Sequence, residues 1–441
     1  MPVVGIGLVG CGTVGTGLVE LLVANAETIE RKTGLRLELR HVCEINRAVW
    51  NRVRLPAGAA FTDDLTTLLS DSQTTLVVEL IGGTTVAGEV VKRSLAAGKD
   101  VVTANKALLA VRGKEVFAAA RQAGRCVAFE ASVGGGIPVI LALREGLIAN
   151  RIDAVFGIVN GTCNYILSEM ALHDRPYVEV LADAQRLGYA EPDPSLDVSG
   201  TDTAHKLAIL GALAFQADID VATIPVEGIE AIDRMDLRVA RELGYACKLL
   251  AIGERDGDAI SLRVHPAFIR ASHPLAGVTG PFNAISLYGN AVGHTLLFGR
   301  GAGPRPTASA ILADVVAVAT GNARRTFEQF RLLHDQNPPA KIKPIESIQS
   351  RYYVRAMVQD RPGVMAKITS VFGEHGISLS AITQHEPEAE PADVVPVAIT
   401  THLAQEGAMR EVLRRIERLD VVSARPVCIR VLAEREEYAK T

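Results

Sequence analysis

The chain has 441 residues, 48% hydrophobic and 22% charged, which is enough apolar material for two or three cores. A formal charge of −4, mixed along the chain rather than gathered in blocks, excludes a nucleic-acid or membrane-surface footprint. Six scattered cysteines exclude a disulfide framework and a zinc site, and the absence of a signal-type start or a bilayer-length apolar run predicts a cytoplasmic protein.

The first element is an apolar run at residues 3–9, followed at once by Gly10-Cys11-Gly12-Thr13-Val14-Gly15 and an apolar-rich helix. Strand, glycine turn and helix form the context of a dinucleotide fingerprint. Gly10 makes the tight turn, Gly12 lets the backbone approach the pyrophosphate, and Gly15 lets helix and strand pack closely. Residues 35–43 read as the second strand, ending at Glu44, with one long helix between the two strands. An acidic residue there holds ribose hydroxyls and favours NAD, whereas the nearby Arg47 suits the extra phosphate of NADP, so both cofactors stay open with NAD slightly ahead.

Strand and helix go on alternating. Residues 76–80 lead into Ile81-Gly82-Gly83-Thr84, residues 100–103 into Ala104-Asn105-Lys106, and residues 126–129 close the series. Each polar loop follows the C-terminal end of a strand, where open parallel sheets bind ligands, which places Lys106 on the cofactor side. The loop from Glu130 to Pro138 exposes backbone around one carboxylate. It either turns the chain or offers oxygens to a hard cation, and the turn is the simpler reading. Residues 154–159 form a strand that ends in Asn160-Gly161-Thr162-Cys163-Asn164 at a helix start. A thiolate at Cys163 would be stabilised there, but no general-base partner is assignable.

Residues 188–206 carry the densest polar chemistry: Glu191, Asp193, Asp197, Asp202, His205 and Lys206. Pro192 and Pro194 force a loop, and a helix follows from Thr201, with Ser199 or Thr201 as its cap. Asp202 and Lys206 lie four apart on one helix face. An isolated pair of this kind is surface decoration. Here an acidic loop feeds straight into it, which favours convergence on one small polar ligand.

Residues 207–302 show no clear period. The loop Gly299-Arg300-Gly301-Ala302-Gly303 precedes an apolar helix at 308–319, with Thr307 as its expected N-cap and loop amides facing the cofactor. A Pro- and Lys-rich linker spans 331–349. From Tyr352 the order β-α-β-β-α-β describes a ferredoxin-like unit, with strands expected at 377–385 and 421–431 and a Glu- and Pro-rich turn after the first of them.

With these pieces in order, the chain resembles homoserine dehydrogenases that carry a C-terminal ACT domain, over nearly its whole length. The most specific match is Gly188-Tyr189-Ala190-Glu191-Pro192-Asp193-Pro194 with Asp197, Gly200, Asp202 and Lys206 at the family's spacing. The resemblance implies an α/β chain with three parts. These are a Rossmann-type dinucleotide-binding domain (1–135, completed by about 303–330), an α+β catalytic and dimerisation domain (136–302), and a ferredoxin-like ACT regulatory domain (350–435). It implies Lys206 as the proton-transfer residue with Asp202, and homoserine or aspartate semialdehyde held by Glu191, Asp197 and Asp202. It places NAD or NADP on Gly10, Gly12, Thr13, Val14, Gly15, Glu44, Lys106, Gly188 and Gly303. It also implies a monovalent cation, sodium, on Glu130, Val133, Gly135 and Ile137, which reverses the simpler turn reading. An amino-acid effector, threonine, and a homodimer or homotetramer complete the expectation. Thr203 where the family commonly has Ala, and Cys163 where it often has Thr, are departures, and the second weakens the thiol reading. Two other readings compete with this one: a silent nucleotide and amino-acid sensor, for which a proton-transfer group has no use, and phosphorylating semialdehyde oxidation, which needs a thiolate such as Cys163.

Overall fold

A computed structural model describes residues 1–384 and 393–433. The Glu- and Pro-rich turn, His385, and the last residues of the expected ACT range lie outside them. The chain forms two compact units: Met1–Val159 with Asp202–Ile224 and Phe282–Ala340, and Asn160–Thr201 with Pro225–Pro281 and Lys341–Thr441. No helix among the described residues is long and apolar enough to cross a membrane.

The strands of the N-terminal sheet are β1 (Val3–Val9), β2 (Arg36–Cys43), β3 (Ala60–Thr62), β4 (Thr74–Glu79), β5 (Asp100–Thr103) and β6 (Val127–Ala128). Then come β7 (Ile152–Ile158), β8 (Tyr245–Asp256), β9 (Ala259–Arg270), β10 (Phe282–Gly289) and β11 (Gly293–Arg300). The C-terminal strands are β12 (Gln349–Gln359), β13 (Leu379–Gln384), β14 (Val394–Thr401), β15 (Ala404–Gln405) and β16 (Val427–Val431).

In the first unit β3-β2-β1-β4-β5-β6 make one parallel sheet. Its central strands are continuous apolar runs because both faces are covered: Ile6, Leu8, Leu76, Val77, Val78, Val101 and Val102 are at most 1% exposed. The strand order reverses between β1 and β4, the switch point where doubly wound sheets bind nucleotides. An antiparallel set, β7-β10-β11, belongs to the same unit.

In the second unit β8 and β9 form a long hairpin. The order β16-β12-β14-β13 with two helices, Val364–Glu374 and Glu406–Glu417, makes the ferredoxin-like module. Tyr352, Val354, Ile368, Phe372, Val397 and Val412 fill its core. On its outer side β16 pairs in parallel with β9, so one sheet runs from the module into the hairpin.

Several local expectations change. The single long helix after the glycine turn is two, Thr13–Ala24 and Ala26–Thr33, broken at Asn25 and ended by left-handed Gly34. Thr307 does not cap its helix: the helix is Pro304–Ala319 with Gly303 at the cap. Pro304 and Pro306 occupy a first turn where a missing N–H costs nothing. The last strand starts at Val427, and Val422 makes only an isolated bridge with Val358. The region without a clear period holds two hairpins. Most of β8 and nearly all of β9 are buried on both faces, so no alternation reaches the sequence.

Candidate active site

The glycine turn after β1 is built as the fingerprint requires. Gly10 has φ 90°, a value that L side chains rarely adopt, and a Cβ on Gly15 would lie 2.4 Å from the Gly10 carbonyl oxygen. A Cβ on Gly12 would meet nothing within 4 Å, so the space over the loop is open. Gly12 caps the helix Thr13–Ala24 without a side-chain hydrogen bond, leaving the amides of the first turn, including those of Thr13 and Val14, for an anion. Glu44 closes the far side. Its carboxylate accepts hydrogen bonds from Cys11 N (2.7 Å) and Asn46 N (2.8 Å), while Arg47 pairs with Asp63 at 2.5 Å and sits over the Trp50 ring. Gly303 begins the helix Pro304–Ala319, against which the dinucleotide helix packs: a Cβ on Gly17 would lie 3.0 Å from Pro304 O. These residues fit a dinucleotide. Gly12→Val should therefore leave the fold intact and raise the KM for the nucleotide about tenfold or more, one step of 1.4 kcal/mol. Steady-state kinetics with a thermal melt checks this, and an unchanged KM would remove Gly12 from the nucleotide site.

A second hydrogen-bonded series crosses the same end of the sheet. Glu79, at the end of β4, is fully buried and accepts hydrogen bonds from Thr103 Oγ1 (2.7 Å), Ile81 N (2.8 Å) and Gly82 N (3.3 Å). Thr103 Oγ1 accepts from Asn105 N, and Asn105 caps the next helix through Leu108 N while donating to Gly83 O at 2.7 Å. Lys106 is thereby fixed as the first residue of the helix Lys106–Gln122. Its Nζ reaches Asp202 Oδ1 at 2.8 Å.

Asp202 also meets Lys206, with Nζ to Oδ2 at 2.6 Å, and Lys206 donates a further hydrogen bond to Val159 O at 2.7 Å. Asp202 and Lys206 are only 6% and 9% exposed, so the surface-decoration reading of this pair is wrong. Burial alone would raise the Asp202 carboxyl, but Lys206 and Lys106 together hold it well below the usual carboxylate range. Burial pushes the neighbouring His205 imidazole down.

In the second unit Asp197 accepts hydrogen bonds from Asn160 Nδ2 (2.7 Å) and Thr162 Oγ1 (3.3 Å), and Thr162 Oγ1 also reaches Tyr189 O at 2.6 Å. Cys163 is fully buried, with its thiol donating to Asp197 O, which gives it a structural setting. Glu191 is exposed on the proline loop. Gly188 has φ 75° and ends the helix Tyr177–Arg186. Beneath the Asn160 helix, buried Lys248 donates to Asn164 Oδ1 (3.0 Å) and Val278 O (2.5 Å). Burial pushes its ammonium down to about 8. Because that value lies below the unfolded value of about 10.4, the unfolded chain binds more protons between the two, and stability rises with pH there. Lys248→Met should remove a rise on the order of 3 kcal/mol across that window. Urea unfolding of both proteins over the window checks it, and parallel profiles would refute it.

Glu130 is buried, its carboxylate accepting hydrogen bonds from Ile140 N (2.9 Å) and Leu141 N (2.8 Å), and its carboxyl is pushed up to about 7 by burial. Gly134 and Gly135 carry positive φ, and a Cβ on Gly135 would lie 2.4 Å from Gly301 O. Among the described residues no group of three or more His, Cys, Asp or Glu could hold a metal ion. The donors this loop can offer a hard monovalent ion are the Glu130 carboxylate and backbone carbonyl oxygens.

Of the expected residues, the first unit joins Lys106, Asp202 and Lys206, and the second holds Glu191 and Asp197. Glu79, Thr103, Asn105, Asn160 and Thr162 were not anticipated as supports. Thr103, Asn105, Asn160 and Thr162 lie in runs that match the family, and all five stand near the end of a strand or the start of a helix.

A sheet end that offers free helix amides at its switch point and carries a buried Asp202-Lys206 pair joined by the half-exposed Lys106 has the parts of a nicotinamide-dependent dehydrogenase. Comparison with known proteins specifies which. The homoserine dehydrogenase family profile matches residues 138–316, the NAD-binding domain of homoserine dehydrogenase matches residues 10–130, and an ACT domain matches residues 352–420. Homoserine dehydrogenase from Pseudomonas aeruginosa is 42% identical over 435 residues, covering 98% of this chain and 99% of its own. That from Neisseria gonorrhoeae is 40% identical over 437 residues, covering 98% and 99%. The crystal structure of a homoserine dehydrogenase from Thiobacillus denitrificans superposes with a TM-score of 0.90 at 42% identity, over 98% of this chain and 99% of that one. The chain belongs to the homoserine dehydrogenase family and is an NAD(P)-dependent oxidoreductase.

Proposed function

We propose that the chain interconverts L-homoserine and L-aspartate semialdehyde, with Lys206 moving the proton. The observation that carries this is the hydrogen-bond count at Lys206. An ammonium has three N–H donors, and among the described residues Asp202 and Val159 O take two, leaving one directed donor for a substrate oxygen. In aldehyde reduction Lys206 gives that proton to the forming alkoxide, and in the reverse direction the amine takes it from the alcohol. The nicotinamide, when bound, supplies or accepts the hydride. Asp202 keeps Lys206 and Lys106 in place, and with Glu191 and Asp197 it meets the polar groups of the amino-acid substrate, including its ammonium. Lys106, Gly188 and Gly303 complete the cofactor side.

The oxygen-rich loop of Glu130, Val133, Gly135 and Ile137 holds a monovalent cation, sodium, that braces the site. Glu44 together with the engaged Arg47 leans the cofactor preference toward NAD. The ACT module binds an amino-acid effector, threonine, and the enzyme serves threonine and methionine biosynthesis in the cytoplasm as a homodimer or homotetramer.

The test is loss of nicotinamide absorbance with L-aspartate semialdehyde and NADH or NADPH in parallel, in sodium or tetramethylammonium buffer, with and without L-threonine. Turnover with NADH ahead of NADPH, dependent on sodium and lowered by threonine, is the expected result. Absence of turnover with either nucleotide, despite nucleotide binding, would overturn the catalytic reading.

A further inference from the structure

In the second unit a cleft of about 640 Å³ opens between the helix Glu406–Glu417 and the segment 227–232, a volume within the usual range of small-molecule sites. Its floor is an ion network around buried Arg430 and Glu406. Arg430 of β16 donates to both carboxylate oxygens of Glu227 (2.7 and 2.8 Å) and to Glu406 (2.5 and 2.9 Å). Arg430 and Glu406 are 6% and 2% exposed, and Glu406 also accepts from Tyr352 Oη at 2.9 Å. Ile232, Met409, Leu413 and Val427 supply apolar wall. Glu230, Glu417 and Arg425 also line the cleft, exposed and without an ion pair among the described residues. Apolar walls with unpaired charges of both signs complement a small zwitterion with a largely apolar side chain. Its carboxylate suits Arg425, and its ammonium suits Glu230 or Glu417.

The lining segment is tied to the loop that carries Asp197. Ile229 N donates to Val198 O at 2.9 Å, and a Cβ on Gly228 would lie 2.3 Å from that same oxygen, so the two backbones touch where only glycine fits. A Cβ on Gly200 would lie 3.0 Å from Val226 Cγ1 and 3.1 Å from Val264 Cγ1. Glu227 N donates to Val264 O of β9, the strand that β16 extends. A ligand that shifts residues 227–232 therefore displaces residues 197–200, because close-packed backbone transmits displacement rather than absorbing it.

We propose that this cleft is a regulatory site for a small α-amino acid, and that its occupancy acts on the Asp197 loop through residues 227–232. The proposal rests on the reading that Asp197 serves the substrate and that an amino acid controls the enzyme. It sets the effector apart from the turn Asp360-Arg361-Pro362-Gly363 between β12 and the helix Val364–Glu374, the effector side that the resemblance to ACT domains implies.

The test uses the full-length enzyme. Calorimetric titration with L-threonine, L-methionine, L-isoleucine and L-valine is paired with initial rates, each protein's uninhibited rate being its own reference. The variants are Arg425→Ala and Glu230→Gln in the cleft and Arg361→Ala on the turn. Expected is that one of the four binds and inhibits the parent enzyme. Both cleft variants then lose at least about tenfold in affinity, one step of 1.4 kcal/mol, with a parallel rise in the inhibitory concentration, while Arg361→Ala matches the parent. Binding of none of the four overturns the site. Inhibition unchanged in both cleft variants and lost in Arg361→Ala also overturns it, while leaving amino-acid feedback standing. Binding that the cleft variants weaken, without inhibition of the parent enzyme, upholds the site and overturns both its transmission and the feedback reading.

Discussion

Replacing Lys206 with alanine is expected to lower turnover by a factor of roughly 10² to 10⁴, the usual contribution of a positioned acid or base. Nucleotide affinity should stay at the parent value, because the glycine turn and Glu44 make no contact with this lysine among the described hydrogen bonds. The alanine variant also leaves Asp202 facing a void, so Lys206→Met is the better-shaped control: it keeps the volume and removes every N–H donor. Both variants should show the same loss in kcat with a smaller change in the KM for the semialdehyde. Stopped-flow reduction under single-turnover conditions would separate a lost chemical step from slower product release. If Lys206→Met reduced the aldehyde at the parent rate, the proton would come from elsewhere and the assignment would fall.

Asp202 carries the second large effect, on stability as well as rate. Asp202→Ala leaves Lys206 buried at 9% exposure with a single carbonyl partner, and breaking a buried pair this way costs about 3–5 kcal/mol. Asp202→Asn keeps the shape and one acceptor, so its loss should be smaller. The sign of the pH dependence follows from the carboxyl being held below its ordinary range. Its stabilising contribution is complete above the unfolded value of about 3.9 and is lost as pH falls through the depressed folded value. The stability gap between the parent and Asp202→Asn should therefore be widest near neutrality and narrow in strong acid. Denaturant unfolding across an acid series measures it, and a gap that stays constant would mean that the charge on Asp202 is not what stabilises the pair.

Both effects depend on contacts that a sequence carries unequally. The glycine turn was legible because strand, turn and helix are consecutive and each glycine answers a local steric demand. Asp202 and Lys206 were legible as partners because four residues are one helical turn. The ferredoxin-like order was legible because each half-buried element leaves its own period. Where strands are buried on both faces, as in β8 and β9, the period vanishes and their hairpin went unseen.

Tertiary structure decided the rest. Lys106 and Asp202 meet only because the sheet brings the end of β5 to the Asp202 helix, and no local pattern encodes that approach. The Val159 carbonyl that takes one Lys206 donor, the Glu79 carboxylate that shapes two loops, and the Asn160 and Thr162 side chains that hold Asp197 are likewise products of packing. So is the pairing of β16 with β9, with Arg430 clamped on Glu227. Local sequence sets which residues can turn, cap or pair along one element. Which elements then face each other follows from burying every apolar face at once, a condition on the whole chain that no short stretch states.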